Sequence, residues 1–235
     1  MTDMSLQSGM NRRALMRIGA GVALPLALSP LLSACAAGPG GFNLSQAIQR
    51  LLTLSSQRAF ALLLQPNGFY DSQVARISLP QQFASGGGVL QQLLTTQAVR
   101  PPPARSLNSA AERGADRAAP VITQAISSIT VADAMSVLRG GPSAATALLE
   151  QQLGGGLINS MFPAVGDALR IASDDVVARA LRAATGYDVA SLARDVTDGA
   201  NRGIWRAIGA EEATIRANPQ ATNDPLLIAV LTLAG

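Results

Sequence analysis

Carboxylates are the main acid–base groups in this chain of 235 residues, because the sequence holds no histidine, no lysine and a single cysteine. Those absences exclude Ser-His-Asp and Cys-His catalysis, histidine-ligated zinc, Schiff-base lysines and the lysine-dependent phosphate loop. They also exclude an intramolecular disulfide. An enzyme built from this sequence would work with Asp, Glu, Ser, Thr, Tyr, Arg or backbone amides. We predict no metal site and no cofactor.

Glu112 is the residue to which we would assign acid–base catalysis. A lone glutamate in a helical cleft can serve the cleavage of glycan strands, and a raised pKa or a second placed carboxylate would support that role. The sequence shows neither of these features. The acidic residues Asp174, Asp175, Asp195 and Asp198 lack the spacing of a calcium loop, and they are a weaker candidate for a site.

Six polar residues stand out, and each has a structural interpretation beside a chemical one. Asp133 follows Thr130 by three residues, which matches a helix capping box with Asp in place of the usual Glu. Arg216 follows Glu212 by four residues, the favourable spacing for an ion pair on one helix. We therefore favour helix caps and ion pairs over catalysis for the whole set, which is Asn108, Glu112, Asp133, Asp198, Glu212 and Arg216.

The first 35 residues are typical of an export signal. A basic start containing Arg12, Arg13 and Arg17 precedes an apolar run that is short for a membrane-spanning helix. The run ends in Leu-Ser-Ala-Cys35, which resembles a bacterial lipobox, whose cysteine takes a diacylglyceryl thioether and becomes the N-terminus after cleavage. Two or three acyl chains would anchor the protein stably in a membrane. A transmembrane anchor with an incidental cysteine is the alternative.

The same segment indicates the export pathway of the protein and the membrane in which it is anchored. Arg12 and Arg13 resemble a twin-arginine export motif, although a chance arginine pair in a chain exported unfolded stays open. Ala36 follows the cysteine, where Asp is the usual signal for retention in the inner membrane. We therefore expect a lipid-anchored envelope protein at the outer membrane, facing the periplasm. Residues 36–42 form a flexible Gly/Pro-rich tether, and residues 43–235 form a single helical domain.

The body has the composition of a helical protein, since Ala and Leu dominate its apolar residues and aromatics make up only 3% of the chain. Helical periodicity, caps and glycine stops predict an all-α compact bundle of about eight or nine short helices with no convincing sheet. The segment 75–79 is predicted to be a packed extended loop. Residues 188–197 and the stretch that ends at Ala217 are predicted to be two separate helices.

The helix after Pro103 carries a wide face of small residues, which would allow close approach of a second helix. Pro120 would kink that helix unless a new turn starts there. Pro142 is predicted to lie in the first turn of a later helix. The small residues of the face include Ala110, Ala111, Gly114, Ala115 and Ala118.

Several separated motifs follow one another between Leu44 and Leu231. They are Pro66-Asn67-Gly68-Phe69, Ile77-Ser78-Leu79-Pro80, Asn108 with Glu112 and Pro120, Ile129-Thr130 with Asp133-Ala134, Leu138 with Gly140-Gly141, Ala144-Ala145-Thr146, Asp198-Gly199, Glu211-Glu212, Ile215-Arg216, Asn218-Pro219 and Leu226-Leu227. In this order they resemble the bacterial family called domain of unknown function 4197. The resemblance implies a mostly helical exported protein and implies no activity. The chain departs from the family pattern at Ser109, in its triple proline 101–103, and at its last residues.

Two functions follow as hypotheses. The first is a non-enzymatic envelope lipoprotein that binds a partner protein or an apolar ligand between its helices, with the membrane reached through the acyl chains. The alternative is a periplasmic hydrolase that acts on cell-wall or lipid material through Glu112. We expect no nucleic-acid partner, because the body is nearly neutral and holds only two Tyr and one Trp.

Overall fold

The computed structural model describes residues 43–79, 103–172, 179, 182–183 and 186–234. These residues belong to one compact unit, Phe42–Gly235. Within them the chain forms eight α-helices and one 3₁₀-helix, and it forms no strand. The predicted all-α fold is therefore confirmed.

The helices follow one another with short connections wherever the intervening chain is described. They are α1 (Leu44–Leu63), α2 (Gly68–Asp71), α3 (Pro103–Ile126), α4 (Val131–Leu138), α5 (Ala144–Leu153), α6 (Gly156–Ala172), α7 (Val189–Ala217), a 3₁₀-helix (Pro219–Thr222) and α8 (Pro225–Ala234).

The turn between α1 and α2 depends on two backbone requirements. Asn67 adopts a left-handed conformation with φ of 66°, which asparagine tolerates better than most residues. Gly68 passes so close to the end of α1 that a Cβ there would lie 2.3 Å from the backbone oxygen of Leu62. The Asn-Gly sequence therefore fixes where α2 begins and how its first amides are oriented.

The predicted close approach of two helices along the small-residue face of α3 is confirmed. This face packs against α6, and a Cβ on Gly114 would lie 2.7 Å from the side chain of Val165. Pro120 and Pro163 lie within α3 and α6, on exposed sides of these helices. The helix α3 thus continues through Pro120 to Ile126, with no separate helix starting at that proline.

Two predicted boundaries are wrong. The two helices expected on either side of residue 197 are a single helix of 29 residues, α7. Gly199 does not end a helix because it is buried against Ile77, and this packing outweighs the low helix propensity of glycine. The helix expected to hold Pro142 in its first turn begins at Ala144, with Ser143 as its N-cap.

The hydrophobic core forms where α7 lies against α1, α3, α5 and α6. Ile204, Ile208 and Ile215 are among its largest fully buried side chains. No single helix of the described segments is long and apolar enough to cross a membrane. Ala104–Ile126 and Val131–Leu138 reach that length and hydropathy only as a pair bent by 104°.

Candidate functional site

The segment 75–77, which follows α2, lies against a glycine slot on α7. Gly199 and Gly203, one helical turn apart, form this slot. A Cβ on Gly203 would lie 3.0 Å from the backbone of Ala75, and one on Gly199 would lie 3.3 Å from the side chain of Ile77. Glycine is therefore what lets the extended backbone rest directly on the helix.

Asn108, buried on α3, clamps the same segment. Its Nδ2 donates to the carbonyl of Ile77, and its Oδ1 accepts from the amide of Ile77, both at 2.9 Å. Nδ2 also donates to the carbonyl of Ala104 at 2.7 Å. One side-chain amide thus satisfies both backbone groups of Ile77, so the segment packs as the extended loop predicted from the sequence and needs no partner strand.

The glycine slot and the clamp place Arg76 beside the arginines of α7. Arg76, Arg202 and Arg206 line a groove of about 270 Å³, which we call the arginine groove. Within the described ranges, none of these three side chains forms an ion pair. The other lining residues are Ile77, Ser78, Leu107, Asp195, Val196 and Gly199.

A second and larger groove, of about 580 Å³, lies between α5 and α7. We call it the tryptophan groove because Trp205, the only tryptophan of the chain, lines it. The indole is 4% exposed, and its Nε1 donates to Asn201 at 3.1 Å. Arg202 and Arg206 line both grooves, so the two grooves adjoin along α7. The remaining lining residues are Ser143, Thr146, Ala147, Glu150, Gly209, Ala210 and Ala213.

Glu212 is a fully buried carboxylate next to the tryptophan groove. It accepts hydrogen bonds from the amides of Ala145 and Thr146, at 3.0 and 2.7 Å, and from the hydroxyl of Thr146 at 2.7 Å. Nε of Arg216 donates to it at 2.8 Å, which confirms the ion pair predicted from their spacing. The carboxylate therefore fastens α7 to the N-terminus of α5, where the helix dipole favours negative charge.

Glu112 is half-buried on α3, and its carboxylate faces the first amides of α2. Burial is the largest influence on its pKa and raises it from the ordinary value of 4.5. The backbone amides of Asn67, Gly68 and Phe69 act in the opposite direction, while the negative charge of Asp71 adds to the increase. Oε1 is buried without a hydrogen-bond partner in the described part of the chain.

Of the other predicted site residues, Asp195 lines the arginine groove, and the rest line neither groove or lie outside the described ranges. The predicted capping box is confirmed: Asp133 accepts from the amide of Thr130 at 2.9 Å, and this contact lowers the pKa of the aspartate. Asp198 is half-buried on α7. Among the residues described, no three His, Cys, Asp or Glu side chains are grouped to hold a metal ion. Arg12, Arg13, Cys35, Asp174 and Asp175 lie outside the described residues.

Sequence reasoning missed the arginines and the tryptophan of the two grooves. A signal was present, because Gly199 and Gly203 are spaced one turn apart, as are Arg202 and Arg206. The expectation of two helices on either side of residue 197 hid that both pairs lie on one helix. The contribution of Arg76 comes from a segment distant in the sequence, and no local pattern indicates it.

The described fold falls within a region matched by a family model. The family "Protein of unknown function (DUF4197)" matches residues 40–232. The chain belongs to this family. No curated protein and no solved structure matches the chain. Because DUF4197 carries no assigned activity, a function for this member has to be argued from its own side chains.

Proposed function

We propose that this DUF4197 protein is an envelope lipoprotein, anchored through Cys35, whose helical domain is a non-enzymatic binding module. The observation that carries the binding role is the meeting of two grooves at Arg202 and Arg206. These two arginines have no ion-pair partner in the described chain, so they offer positive charge to a ligand. The adjoining groove, which Trp205 lines, offers apolar surface.

The positions of the predicted polar residues favour binding over hydrolysis. Asn108 holds the backbone of Ile77, Glu212 holds the N-terminus of α5, and Asp133 caps α4. Glu112 faces the amides of α2 and lines neither groove. Asn108, Glu212 and Asp133 each serve a backbone segment, as expected of structural polar groups.

The anchor is supported by the lipobox-like sequence that ends at Cys35. We expect Cys35→Ser to abolish labelling by a clickable palmitate analogue in growing cells and to release the protein from membranes. Ala36→Ser, which keeps the cysteine, should leave labelling unchanged. Labelling that persists in Cys35→Ser would contradict the anchor. Separation of inner and outer membranes on a density gradient then tests the expected outer-membrane location.

The binding role is tested by hydrogen exchange on the full-length protein, with and without a detergent extract of the envelope. A ligand in the tryptophan groove should slow exchange in residues 143–150 and 202–213. Ala210→Tyr, which fills the groove from an exposed lining position, should remove this protection. Leu62→Tyr places the same ring on α1, where the side chain is 58% exposed, and should preserve it. Equal protection in all three proteins would refute the binding role.

A further inference from the structure

The arginine groove brings three cations to one concave surface, which suits the binding of a phosphate group. We propose that Arg76, Arg202 and Arg206 bind the phosphate of a phosphomonoester whose organic part lies in the tryptophan groove. This inference rests on the proposed binding function, because it names the ligand class of the same surface.

Arg76 is held in place before any ligand arrives. Its backbone neighbours are fixed on both sides, Ala75 against Gly203 and Ile77 by Asn108. Its guanidinium lies 4.2 Å from the centroid of the Tyr70 ring, a cation–π distance that restrains the long side chain. A restrained arginine loses less conformational entropy when it binds an anion, and this favours affinity.

The charge of the groove suits a phosphomonoester. Among the described lining residues, three arginines accompany one aspartate, Asp195, which is an excess of two positive charges. A phosphomonoester carries a charge of about −1.5 to −2 at neutral pH, whereas a carboxylate carries only one negative charge. Guanidinium groups also present parallel N–H donors that match pairs of phosphate oxygens.

The adjoining groove indicates what the phosphate is attached to. Its walls include Ala147, Ala210 and Ala213 together with Trp205. Among the described lining residues Glu150 is the single acidic one, and it would repel a second anionic group. An uncharged organic part therefore fits. It can belong to a soluble phosphomonoester or to a lipid with a phosphomonoester headgroup.

The test uses the full-length protein, purified from envelopes in a nonionic detergent. The probes are inorganic phosphate, glycerol 3-phosphate, and mixed micelles that contain phosphatidic acid or, as a blank, phosphatidylcholine. Calorimetry measures the affinity, and the fluorescence of Trp205 reports whether a probe reaches the tryptophan groove. We expect saturable binding of a phosphomonoester and no binding of phosphatidylcholine.

Two double variants distinguish a site from general attraction to a basic protein. Arg202→Gln with Arg206→Gln removes two charges from the groove and should weaken binding by at least about tenfold, since charge-assisted hydrogen bonds are lost. Arg113→Gln with Arg117→Gln removes the same charge from exposed positions of α3 and should leave the affinity unchanged. All four arginines are exposed, so the folded state is retained, and circular dichroism checks it.

The probe that binds identifies the source of the phosphate. Binding of glycerol 3-phosphate supports a soluble ligand, and binding of phosphatidic acid alone supports a lipid headgroup. Equal weakening by both double variants, or no phosphomonoester bound at all, would overturn the phosphate assignment. If a dodecanoate micelle then changes the Trp205 signal in the wild type but not in Ala210→Tyr, the binding function stands with a different ligand class. Failure of the hydrogen-exchange test contradicts the binding function itself.

Discussion

The N-termini of α5 and α2 each face a glutamate that belongs to a distant helix, yet the two carboxylates differ in how they are satisfied. Glu212 receives three hydrogen bonds from α5 and one from Arg216, so its charge is compensated in full burial. Glu112 faces the amides of α2 with Oε1 unpartnered in the described chain and with Asp71 nearby, and burial raises its pKa.

The difference shows that backbone amides at a helix start do not by themselves outweigh the effect of burial on the pKa of Glu112. Charge burial is costly unless hydrogen bonds and a cation compensate for the lost water. Arg216 supplies that compensation for Glu212 and in addition donates to the carbonyl of Val137 at 3.4 Å. Glu112 has no such cation among the causes that shift its pKa.

Breaking the compensated site should have the largest effect. Glu212→Ala leaves Arg216, whose side chain is 14% exposed, without its partner and removes the acceptor from two amides of α5. We expect a loss of about 3–5 kcal/mol in the free energy of unfolding, measured by urea denaturation. Glu211→Ala, at the neighbouring half-buried position, should change it by less than about 0.5 kcal/mol. Comparable losses in the two variants would contradict the role of Glu212.

Distorting the turn that faces Glu112 should lower the free energy of unfolding by less than the loss of Glu212 does. Gly68→Ala places a Cβ 2.3 Å from the backbone oxygen of Leu62, and that backbone has little freedom to move. We expect the free energy of unfolding to fall by about 1–3 kcal/mol, as in other overpacked sites. Gly141→Ala is the matched control, because a Cβ there meets nothing within 4 Å. A Gly68→Ala protein as stable as this control would show that the turn relaxes freely.

The carboxylate of Glu112 should make stability depend on pH in the direction opposite to that of a salt-bridged acid. Its pKa is raised in the folded state, so the folded protein binds more protons than the unfolded chain just above the ordinary value of 4.5. Stability therefore falls as pH rises through that window. Glu112→Gln should remove this contribution to the pH dependence of the free energy of unfolding. Urea denaturation at a series of pH values from acid to neutral would measure it.

An opposite slope, with the wild type gaining stability over Glu112→Gln as pH rises, would mean that Glu112 is held charged. The same variant addresses the hydrolase alternative. We expect Glu112→Gln and the wild type to release the same amount of soluble material from purified peptidoglycan. A release that only the wild type supports would favour catalysis through Glu112.

The smallest effect is expected where a cation meets an exposed helix cap. Nη1 of Arg50 lies 3.0 Å from Asp224, whose carboxylate also accepts from the first amides of α8, and the two side chains are 47% and 23% exposed. Arg50→Gln should cost less than about 1 kcal/mol, because water already screens the pair. The loss should shrink further at high salt. If Arg50→Gln lowered the free energy of unfolding as much as Glu212→Ala does, the exposed ion pair would stabilise the fold as strongly as the buried one, which would contradict this comparison.

Local spacing predicted the parts of these sites that lie within one helix or at its end. The capping box of Thr130 and Asp133 and the pair of Glu212 and Arg216 each span three or four residues, so helical geometry alone brings them together. The contacts of Glu212 with α5 join residues 66 and 67 positions apart. No periodicity encodes such a contact, which depends on how whole helices pack.

The fold class was also predictable from local properties, because composition and helical periodicity can be added up over the whole chain without knowing which helices are in contact. The course of α7 was not, since propensity at Gly199 indicates a break while its packing against Ile77 favours continuity. The role of Gly199 and Gly203 can be recognised only once the segment 75–77, which packs on them, is known. The arginine groove depends on that segment, and the tryptophan groove depends on the packing of α5 against α7, so no local pattern in the sequence indicates either groove.

The clamp of Asn108 has a consequence for engineering. One side chain bonds both Ile77 and Ala104, so the two ends of the intervening chain are tied at a fixed separation. Lengthening chain between two tied points costs little, about 0.6 kcal/mol for each doubling of its length. An insertion between residues 79 and 103 would therefore leave the bonds of Asn108 to Ile77 in place, and Ile77 would stay against Gly199.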